Sequence, residues 1–324
     1  MVKEDLVKIL ENGGGEYLSG EQLAKRLGVS RGAVWKAIES LRGDGYEIEA
    51  VTNRGYRLAD GCDVLSRQGV EKYLKTSFYR VETAGVVTST NTLVRARAEQ
   101  GEKEGYVLIA GGQTAGRGRM ERAFYSPEDT GLYMSVLLRP ARYSAQEAVR
   151  ITTAAAVAMC RAIEDVSENK AEIKWVNDVF VGGKKVCGIL TEASFSVENG
   201  SLAYVVLGVG VNAYEPKGGF PKELRPVAGA VYPSRQGGGK CRLAAAFLDR
   251  LFALYGDLAC GGYMDEYRRR CFVIGNEADV AFAEGKRRAL VLGVDGECRL
   301  IVRWCDDGSE TTLAAGEISL RPCQ

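Results

Sequence analysis

Apolar residues follow one spacing in the first 60 residues and another in most of the remaining chain. Leu6 and Leu10, and later Val34 and Ile38, recur four residues apart, the spacing that places side chains on one helical face. Beyond residue 78, short continuous apolar runs bounded by glycine and polar residues predominate, which is typical of buried strands. The pattern therefore predicts a helical N-terminal unit followed by sheet-containing domains.

The N-terminal unit contains a second helix between those two. Ser19 and Gln22 form the S-x-x-Q pattern of a capping box, and after a glycine turn Ser30 begins the next helix. Two short strands follow between residues 46 and 58. Helix, short turn, helix and hairpin wing are typical of a winged helix-turn-helix DNA-binding domain, which we place at residues 1–62.

The third helix and the wing present basic side chains on their outward face. The candidate DNA contacts are Ser30, Arg31, Trp35, Lys36, Arg42 and Arg54. Residues 1–60 as a whole hold nine basic and ten acidic side chains, so the unit is not basic overall. A protein–protein interaction module of the same shape is the alternative, but the cluster of positive charge on helix and wing favours DNA.

The rest of the chain alternates buried strands with helices. Strands are expected at residues 79–87, 105–110, 132–138 and 204–211, and helices at 145–166, 242–255 and 263–271. From residue 276 the texture changes to short alternating strands with glycine turns. We therefore expect an α+β protein with a central mixed-sheet domain at residues 63–273 and a small SH3-like β-barrel at residues 274–324.

One segment between two predicted strands is both basic and rich in glycine. Residues 111–127, GGQTAGRGRMERAFYSP, are called the arginine loop below. Glycine lets backbone N–H groups approach an anion, and arginine adds forked donors that stay charged. A Walker phosphate loop is rejected because Arg117 and Gly118 stand where Lys and Ser or Thr are needed, and G-x-G-x-x-G is absent. A surface loop without a ligand is the remaining alternative.

Two further segments carry candidate chemistry. The KWVND run at 174–178 and the GGKKVCGIL run at 182–190 predict strand, tight turn and strand. Lys185 begins the apolar part of the second run, so it is expected to enter the sheet and to need an anionic or carbonyl partner; an exposed hairpin tip is the alternative. Ser89 or Thr90 is expected to cap a helix, with a ligand-donor role as the functional interpretation.

Composition narrows the possible chemistry. The chain of 324 residues has 46% hydrophobic and 26% charged residues and a net charge of +1, which is typical of a soluble globular protein. Its start is charged, without the apolar run of a signal peptide, and no transmembrane-length run occurs, so we expect a cytoplasmic location. Nine cysteines without a C-x-x-C pair predict free thiols, and the absence of histidine excludes Ser-His-Asp catalysis and His-ligated metals.

Seven motifs in order resemble the bifunctional biotin–protein ligase and biotin operon repressor family over essentially the whole chain. They are the segment from LGVSRGAVWK to NRGYRL in the first unit, TSTN at 88–91, QTAGRGR at 113–119, KWVND at 174–178, KKVCGIL at 184–190, GVGVN at 208–212 and GEISLR at 316–321. The resemblance implies a catalytic domain of the biotin/lipoate ligase type. It also implies that the biotin carboxylate attacks the α-phosphate of ATP, with Mg²⁺, and that biotin then passes from biotinyl-AMP to a lysine of a biotin carboxyl carrier protein.

The same resemblance implies residue roles. Arg117 and Lys185 would be catalytic, screening the charge of the carboxylate and the α-phosphate. Biotin would contact Ser89, Thr90, Asn91, Gln113, Arg117, Gly118, Arg119, Lys185 and Gly188. ATP would contact Arg119, Arg122, Phe124, Asn177, Asp178, Asn212 and Arg321. No protein metal site is expected, and the loop would order over the adenylate. The adenylate would also favour a homodimer that presents two helix-turn-helix units to operator DNA.

Three positions depart from the family pattern, which commonly has proline, glycine and tryptophan where this chain has Val176, Glu121 and Phe124. Glu121 adds negative charge near phosphates, and Phe124 offers less stacking surface to adenine, so weaker ATP binding is expected. The alternatives are a ligase with a vestigial DNA-binding domain, a biotin sensor without ligase activity, and a lipoate–protein ligase. The last lacks support because this chain has no R-R-x-G-G-G loop with a downstream histidine.

Overall fold

A computed structural model describes residues 2–140, 143, 147–195, 202–258, 260–282, 285–314 and 317–320. Within these residues, no helix combines the length and the apolarity that crossing a membrane requires.

The N-terminal unit has three helices and a two-stranded hairpin around its own apolar core. The elements are α1 (Val2–Asn12), α2 (Gly20–Leu27), α3 (Arg31–Gly43), β1 (Ile48–Val51) and β2 (Gly55–Leu58). Ser19 Oγ accepts from Gln22 N at 3.1 Å, and Gln22 Oε1 accepts from Ser19 N at 2.8 Å. This confirms the predicted capping box, and Gly28, with φ 64°, ends α2 in the left-handed conformation that glycine tolerates.

A seven-stranded mixed sheet forms the centre of the molecule. Its strands are β3 (Arg80–Val87), β4 (Tyr106–Gln113), β5 (Gly131–Leu138), β6 (Ala171–Lys174), β7 (Asp178–Val181), β8 (Lys184–Phe195) and β9 (Leu202–Asn212). They lie in the order β3-β4-β5-β9-β8-β7-β6, with β3 parallel to β4 and all other neighbours antiparallel. The hairpin from β7 to β8 is the one predicted from the paired glycines.

Helices cover both faces of this sheet. The helices of this part are α4 (Arg67–Glu71), α5 (Thr90–Glu99), α6 (Ala148–Val166), α7 (Gly239–Tyr255) and α8 (Met264–Arg270). The alanines of α6 are small and favour a helix, and they let α6 pack closely on α7 and the sheet in the main core. On the other face, α5 packs through Val94 and Ala98 in a separate cluster, which places the start of α5 over the middle of the sheet.

The C-terminal part is a five-stranded antiparallel sheet. Its strands are β10 (Glu277–Phe282), β11 (Gly285–Val294), β12 (Leu300–Trp304), β13 (Glu310–Leu313) and β14 (Glu317–Leu320), in the order β13-β12-β11-β10-β14. Its apolar face is continuous with the main core, and Trp175 Nε1 donates to Cys298 O at 2.9 Å across the contact. Closure into an SH3-like barrel stays a prediction.

A buried carboxylate connects the segment that follows the N-terminal unit to the centre of the molecule. Asp63 accepts hydrogen bonds from the Tyr214 hydroxyl at 2.6 Å and from the backbone N–H of Lys240, in the first turn of α7, at 3.0 Å. Burial raises the pKa of the Asp63 carboxyl above its usual 3.8. The Lys240 side chain, whose residue is 2% exposed, donates to Asp129 O at 3.1 Å. Asp129 lies two residues beyond the arginine loop, so this cluster reaches from the segment after the N-terminal unit to the base of the loop.

Candidate active site

A cavity of about 200 Å³ lies above the middle strands of the central sheet. Four stretches of chain surround it: the start of α5, the arginine loop, the β6–β8 region and the glycines of β9. The lining residues are Ser89, Thr90, Asn91, Gln113, Arg117, Gly118, Arg119, Met120, Arg122, Ala123, Phe124, Lys174, Trp175, Asn177, Asp178, Lys185, Gly188, Ile189, Leu190, Gly208, Val209 and Gly210. Nearly all residues predicted to bind biotin or ATP are therefore brought to one place.

The first wall of the cavity is the N-terminal turn of α5. Ser89 is the N-cap, and its Oγ accepts from Thr92 N at 3.5 Å, so the predicted cap is present. Thr90 does not cap the helix but contacts the arginine loop: its N–H and its hydroxyl both donate to Gln113 Oε1, at 2.9 and 3.2 Å. Gln113 Nε2 in turn donates to Ser126 Oγ at 3.2 Å. These bonds fix the amide of Gln113 beside the cavity.

The arginine loop folds back on itself over the cavity. Phe124 N donates to Gly116 O at 2.9 Å, and Gly118 N donates to Arg122 O at 2.7 Å. Gly116 is required by this geometry, since a Cβ there would lie 2.4 Å from Ser126 Oγ. At the tip, Met120 has φ 53° and is 74% exposed. The loop therefore projects an apolar side chain into solvent at the cavity's mouth; the side chain of Glu121 lies outside what the structure describes.

The opposite wall comes from the β7–β8 hairpin. Lys185 Nζ lies 2.7 Å from Asp178 Oδ1, which supplies the anionic partner that its position in the sheet was predicted to require. Asn177 Nδ2 donates to Ile189 O at 2.7 Å, and Asn177 Oδ1 accepts from Arg119 NH1 at 3.3 Å. Because Arg119 belongs to the arginine loop, this last bond connects the two walls. The peptide bond between Trp175 and Val176, beside this wall, is cis.

Glycines form the floor of the cavity. A Cβ on Gly210 would lie 2.5 Å from the Phe124 ring, and one on Gly208 would lie 2.2 Å from Asn91 Oδ1. A Cβ on Gly188 would lie 3.0 Å from the same ring. The bare backbone of β8 and β9 thus allows an aromatic ring and an amide to lie directly on the sheet.

Arg117 is paired with an acid that sequence reasoning missed. Its NH2 lies 3.1 Å from the carboxylate of Glu192 and 3.4 Å from Thr92 Oγ1. The Glu192 carboxylate also accepts from Asn91 Nδ2 at 2.7 Å. Glu192 lies near the end of a long strand in which exposed and half-buried residues mix, so no local signal distinguished it.

The cavity carries a net positive charge, which one carboxylate partly offsets. Its described lining residues include five basic side chains and one carboxylate, that of Asp178: the basic ones are Arg117, Arg119, Arg122, Lys174 and Lys185. The nearby thiol of Cys187 is fully buried, and this burial raises its pKa far above the usual value of 9.0, so it is not a nucleophile at neutral pH. The arrangement can attract and orient anions; within the described residues it offers no metal cluster of three or more acidic, Cys or His ligands.

One predicted ATP contact, Asn212, does not line this cavity, and another, Arg321, cannot be placed relative to it. Asn212 ends β9, and its Nδ2 donates to Gly229 O at 3.0 Å, so its amide is used to bind the segment that follows β9. Arg321 lies outside the described residues. The cavity is also lined by four residues to which no role was assigned: Lys174, Trp175, Gly208 and Gly210. They belong to the KWVND and GVGVN motifs, which was the one feature of the sequence that could have indicated a place in the site.

Comparison with known proteins agrees with this geometry. The profile of the Biotin/lipoate A/B protein ligase family matches residues 83–212, and a profile described as HTH domain matches residues 2–57. The bifunctional ligase/repressor BirA of Bacillus subtilis is 38% identical over 229 residues, which is 70% of this chain and 70% of that protein. The chain belongs to the bifunctional biotin ligase/repressor family. The BirA of Escherichia coli, 28% identical over 327 residues, covers 98% of this chain and 97% of its own length.

A solved structure supports the fold of this family member. The biotin protein ligase from Aquifex aeolicus, in complex with biotin and ATP, matches with a TM-score of 0.59 at 24% identity, over 75% of this chain and 99% of that one. At this identity the likeness establishes the shared ligase fold. The HTH profile matches residues 2–57, outside the residues 83–212 that match the ligase profile.

The helix-turn-helix of this family member presents most of its predicted DNA contacts to solvent. Arg31, Trp35 and Lys36 are exposed on α3, with Trp35 at 55%, while Ser30 Oγ caps the helix by accepting from Ala33 N at 3.2 Å. Arg42 differs: its Nε and NH2 donate to Ile48 O at 3.2 and 2.7 Å, and its NH1 donates to Glu39 at 2.8 Å. Its guanidinium therefore fastens α3 to the wing.

The wing arginines lie against an aromatic ring. Arg54, another predicted DNA contact, places its guanidinium 4.7 Å from the centre of the Tyr17 ring. Arg57 lies 5.0 Å from the same ring and 2.8 Å from Glu49. Stacking on the Tyr17 ring orients both guanidinium groups without neutralising Arg54.

Proposed function

We propose that this protein is an ATP-dependent biotin–protein ligase that forms biotinyl-5'-AMP and transfers biotin to a lysine of a biotin carboxyl carrier protein, and that it represses transcription in response to biotin. The observation that carries the proposal is the convergence of Arg117, Arg119 and Lys185, from segments far apart in sequence, on one glycine-floored cavity. The relatives named above are ligase/repressors over comparable lengths.

The polar wall suits a neutral head group. Biotin carries a urea ring with N–H donors and a carbonyl acceptor, and the cavity offers the hydroxyls of Ser89 and Thr90 and the amides of Asn91 and Gln113. Hydrogen bonds among these side chains fix their orientations before a ligand enters, which reduces the entropy that binding must overcome.

The basic walls suit the first chemical step. A carboxylate is already ionised at neutral pH and needs no general base, so the barrier comes largely from bringing two anions together. Arg117 and Lys185 stand on opposite walls, each oriented by an acid, Glu192 and Asp178 respectively. Their positive charge would stabilise the pentavalent transition state at the α-phosphate, where negative charge accumulates. The arginine loop would shield the reactive anhydride from water.

Magnesium would be bound mainly by the substrate. Mg²⁺ is commonly bound through one or two carboxylates together with substrate phosphates, and Asp178 is the one carboxylate among the described lining residues. The donor set therefore fits a metal ion that arrives with ATP, which would neutralise phosphate charge and orient the leaving pyrophosphate.

The repressor function would use α3 and the wing. A homodimer formed on adenylate binding would present two copies of α3 to successive major grooves of a palindromic operator. The exposed side chains Arg31, Trp35 and Lys36 support this proposal. We further propose that residues 1–62, 63–273 and 274–324 are separate domains, the last closing as an SH3-like barrel.

One assay separates the candidate activities. The full chain is incubated with ATP, Mg²⁺, a carrier domain and either biotin or lipoate, and the carrier is analysed by mass spectrometry. Addition of biotin alone supports the proposal, whereas addition of lipoate alone identifies a lipoate ligase. Unmodified carrier with both acids would refute ligase activity. Gel shifts with operator fragments, with and without biotin and ATP, test repression separately.

A further inference from the structure

The carboxylate of Glu192 connects two residues of the cavity wall. Glu192 lies on β8, opposite Val206 of β9. Its two partners are distant in sequence, Asn91 by 101 residues and Arg117 by 75, and reach it because α5 and the arginine loop fold onto the sheet. Its oxygens accept from Asn91 Nδ2 at 2.7 Å and from Arg117 NH2 at 3.1 Å. One side chain thus bridges α5 and the arginine loop.

Asn91 is oriented from several sides. Its Nδ2 donates to Glu192, and its Oδ1 lies 2.6 Å from the hydroxyl of Ser135, a fully buried residue of β5. The amide also lies directly on Gly208, where a Cβ would come within 2.2 Å of Oδ1. Since donor and acceptor ends have distinct partners, the amide has one favoured orientation.

Arg117 is bound through one nitrogen. Its described side-chain contacts, to Glu192 and to Thr92 Oγ1, all involve NH2. A guanidinium has five N–H donors in a rigid planar fork, so fixing NH2 at the wall orients the remaining donors as a group. The side chains of this pair are 38% and 25% exposed, which leaves the arginine open to the cavity.

We propose that Glu192 is a positioning residue of the ligation site, which orients Arg117 toward the incoming biotin carboxylate and Asn91 toward the urea ring of biotin. This inference rests on the ligase function proposed above. Two effects of Glu192 oppose each other: its charge offsets that of Arg117 and weakens attraction for anions, while its hydrogen bonds fix the geometry. If the charge effect dominated, removing the Glu192 carboxylate would improve biotin binding. Because Glu192 bridges Arg117 and Asn91, we expect its effect on their orientation to dominate, so that removing the carboxylate impairs the reaction.

The test is Glu192→Gln, measured by biotin-dependent exchange of pyrophosphate into ATP. We expect kcat/KM for biotin to fall about 10- to 100-fold, the range for losing a charge-assisted hydrogen bond in a site. The matched control is Glu172→Gln, which makes the same change at an exposed position of β6 in the same sheet; its kinetics should equal the parent's. Glu192→Asp retains the charge but cannot bridge both partners, so an intermediate loss is expected.

A double-mutant cycle tests whether Glu192 acts through Arg117. In an Arg117→Ala background, Glu192→Gln should have a clearly smaller effect than in the parent, because the shared interaction is already absent. Equal effects in both backgrounds, a lowered KM for biotin in Glu192→Gln, or parental kinetics in both Glu192 variants would each overturn the inference. A parent protein that exchanges no pyrophosphate with biotin would instead overturn the proposed function, and the inference with it.

Discussion

Replacing Lys185 with alanine should reduce biotinyl-5'-AMP formation by about two to three orders of magnitude, comparable to removing one donor that stabilises an oxyanion. The substitution has two consequences in this structure. It removes a cation from the cavity wall, and it leaves the Asp178 carboxylate, 2.7 Å from Nζ in the parent, without that partner. The attraction for the carboxylate and phosphate is lost, and a repulsion is added.

The size of each effect follows from the geometry. Two unit charges about 4 Å apart interact by about 1 kcal/mol in bulk water and by about 4 kcal/mol at the effective dielectric constant typical near a protein surface. The Lys185 side chain is 33% exposed, which places the site between these limits. Lost attraction and added repulsion together give about 3–4 kcal/mol, which corresponds to the stated loss of rate.

The assay is biotin-dependent pyrophosphate–ATP exchange at saturating ATP and biotin. Lys184→Ala is the matched control, since Lys184 is exposed and precedes Lys185 on the same strand; it should retain parental exchange. An undiminished rate in Lys185→Ala would refute this reasoning.

Three other substitutions test separate parts of the structure. Trp35→Ala, on the exposed face of α3, should abolish biotin-dependent operator binding in gel shifts while carrier biotinylation stays at the parental rate; loss of both would indicate a folding defect instead. Gly208→Ala should raise the KM for biotin at least about 10-fold, because the new Cβ would lie 2.2 Å from Asn91 Oδ1 and displace that amide; an unchanged KM would show that Asn91 does not contact biotin. The Arg270 guanidinium, 2.6 Å from Glu164, holds the pKa of that carboxyl below its usual 4.5, so the pair adds stability above this pH and the contribution is lost as the pH falls through the lowered value. Arg270→Met should therefore lower the free energy of unfolding at pH 7 by about 1–3 kcal/mol, and a difference from the parent that did not shrink below pH 4.5 would contradict this assignment.

Local signals in the sequence predicted most of the elements. The capping residues Ser19, Ser30 and Ser89 act on N–H groups within three residues of themselves, so their pattern is legible without the fold. Lys185 was recognised because a charge inside an apolar run implies a partner, and Asp178, only one hairpin away, supplies it. That the arginine loop meets this hairpin rested on the family resemblance, because no local pattern fixes which loops meet.

Contacts across long stretches of chain were not predictable. Glu192 and Ser135 acquire their roles from Asn91, which α5 brings to the sheet from 101 and 44 residues away. Arg42 was assigned to the DNA-binding face from helical spacing alone. Its long side chain instead bends back and donates to Ile48 O. Helix periodicity gives only the direction of Cβ, so it does not predict this conformation of the side chain.

The Asp63 carboxylate limits where this chain can be truncated to give a minimal ligase. It closes the first turn of α7 through Lys240 N and satisfies the hydroxyl of Tyr214. A fragment beginning at residue 67 lacks Asp63, so both buried donors would lose this acceptor. Each donor left unsatisfied would lower the free energy of unfolding by about 1–3 kcal/mol. A fragment that starts a few residues earlier retains Asp63 and both hydrogen bonds. The position of the truncation, and not the loss of the helix-turn-helix unit, would then determine whether the remaining domains are stable.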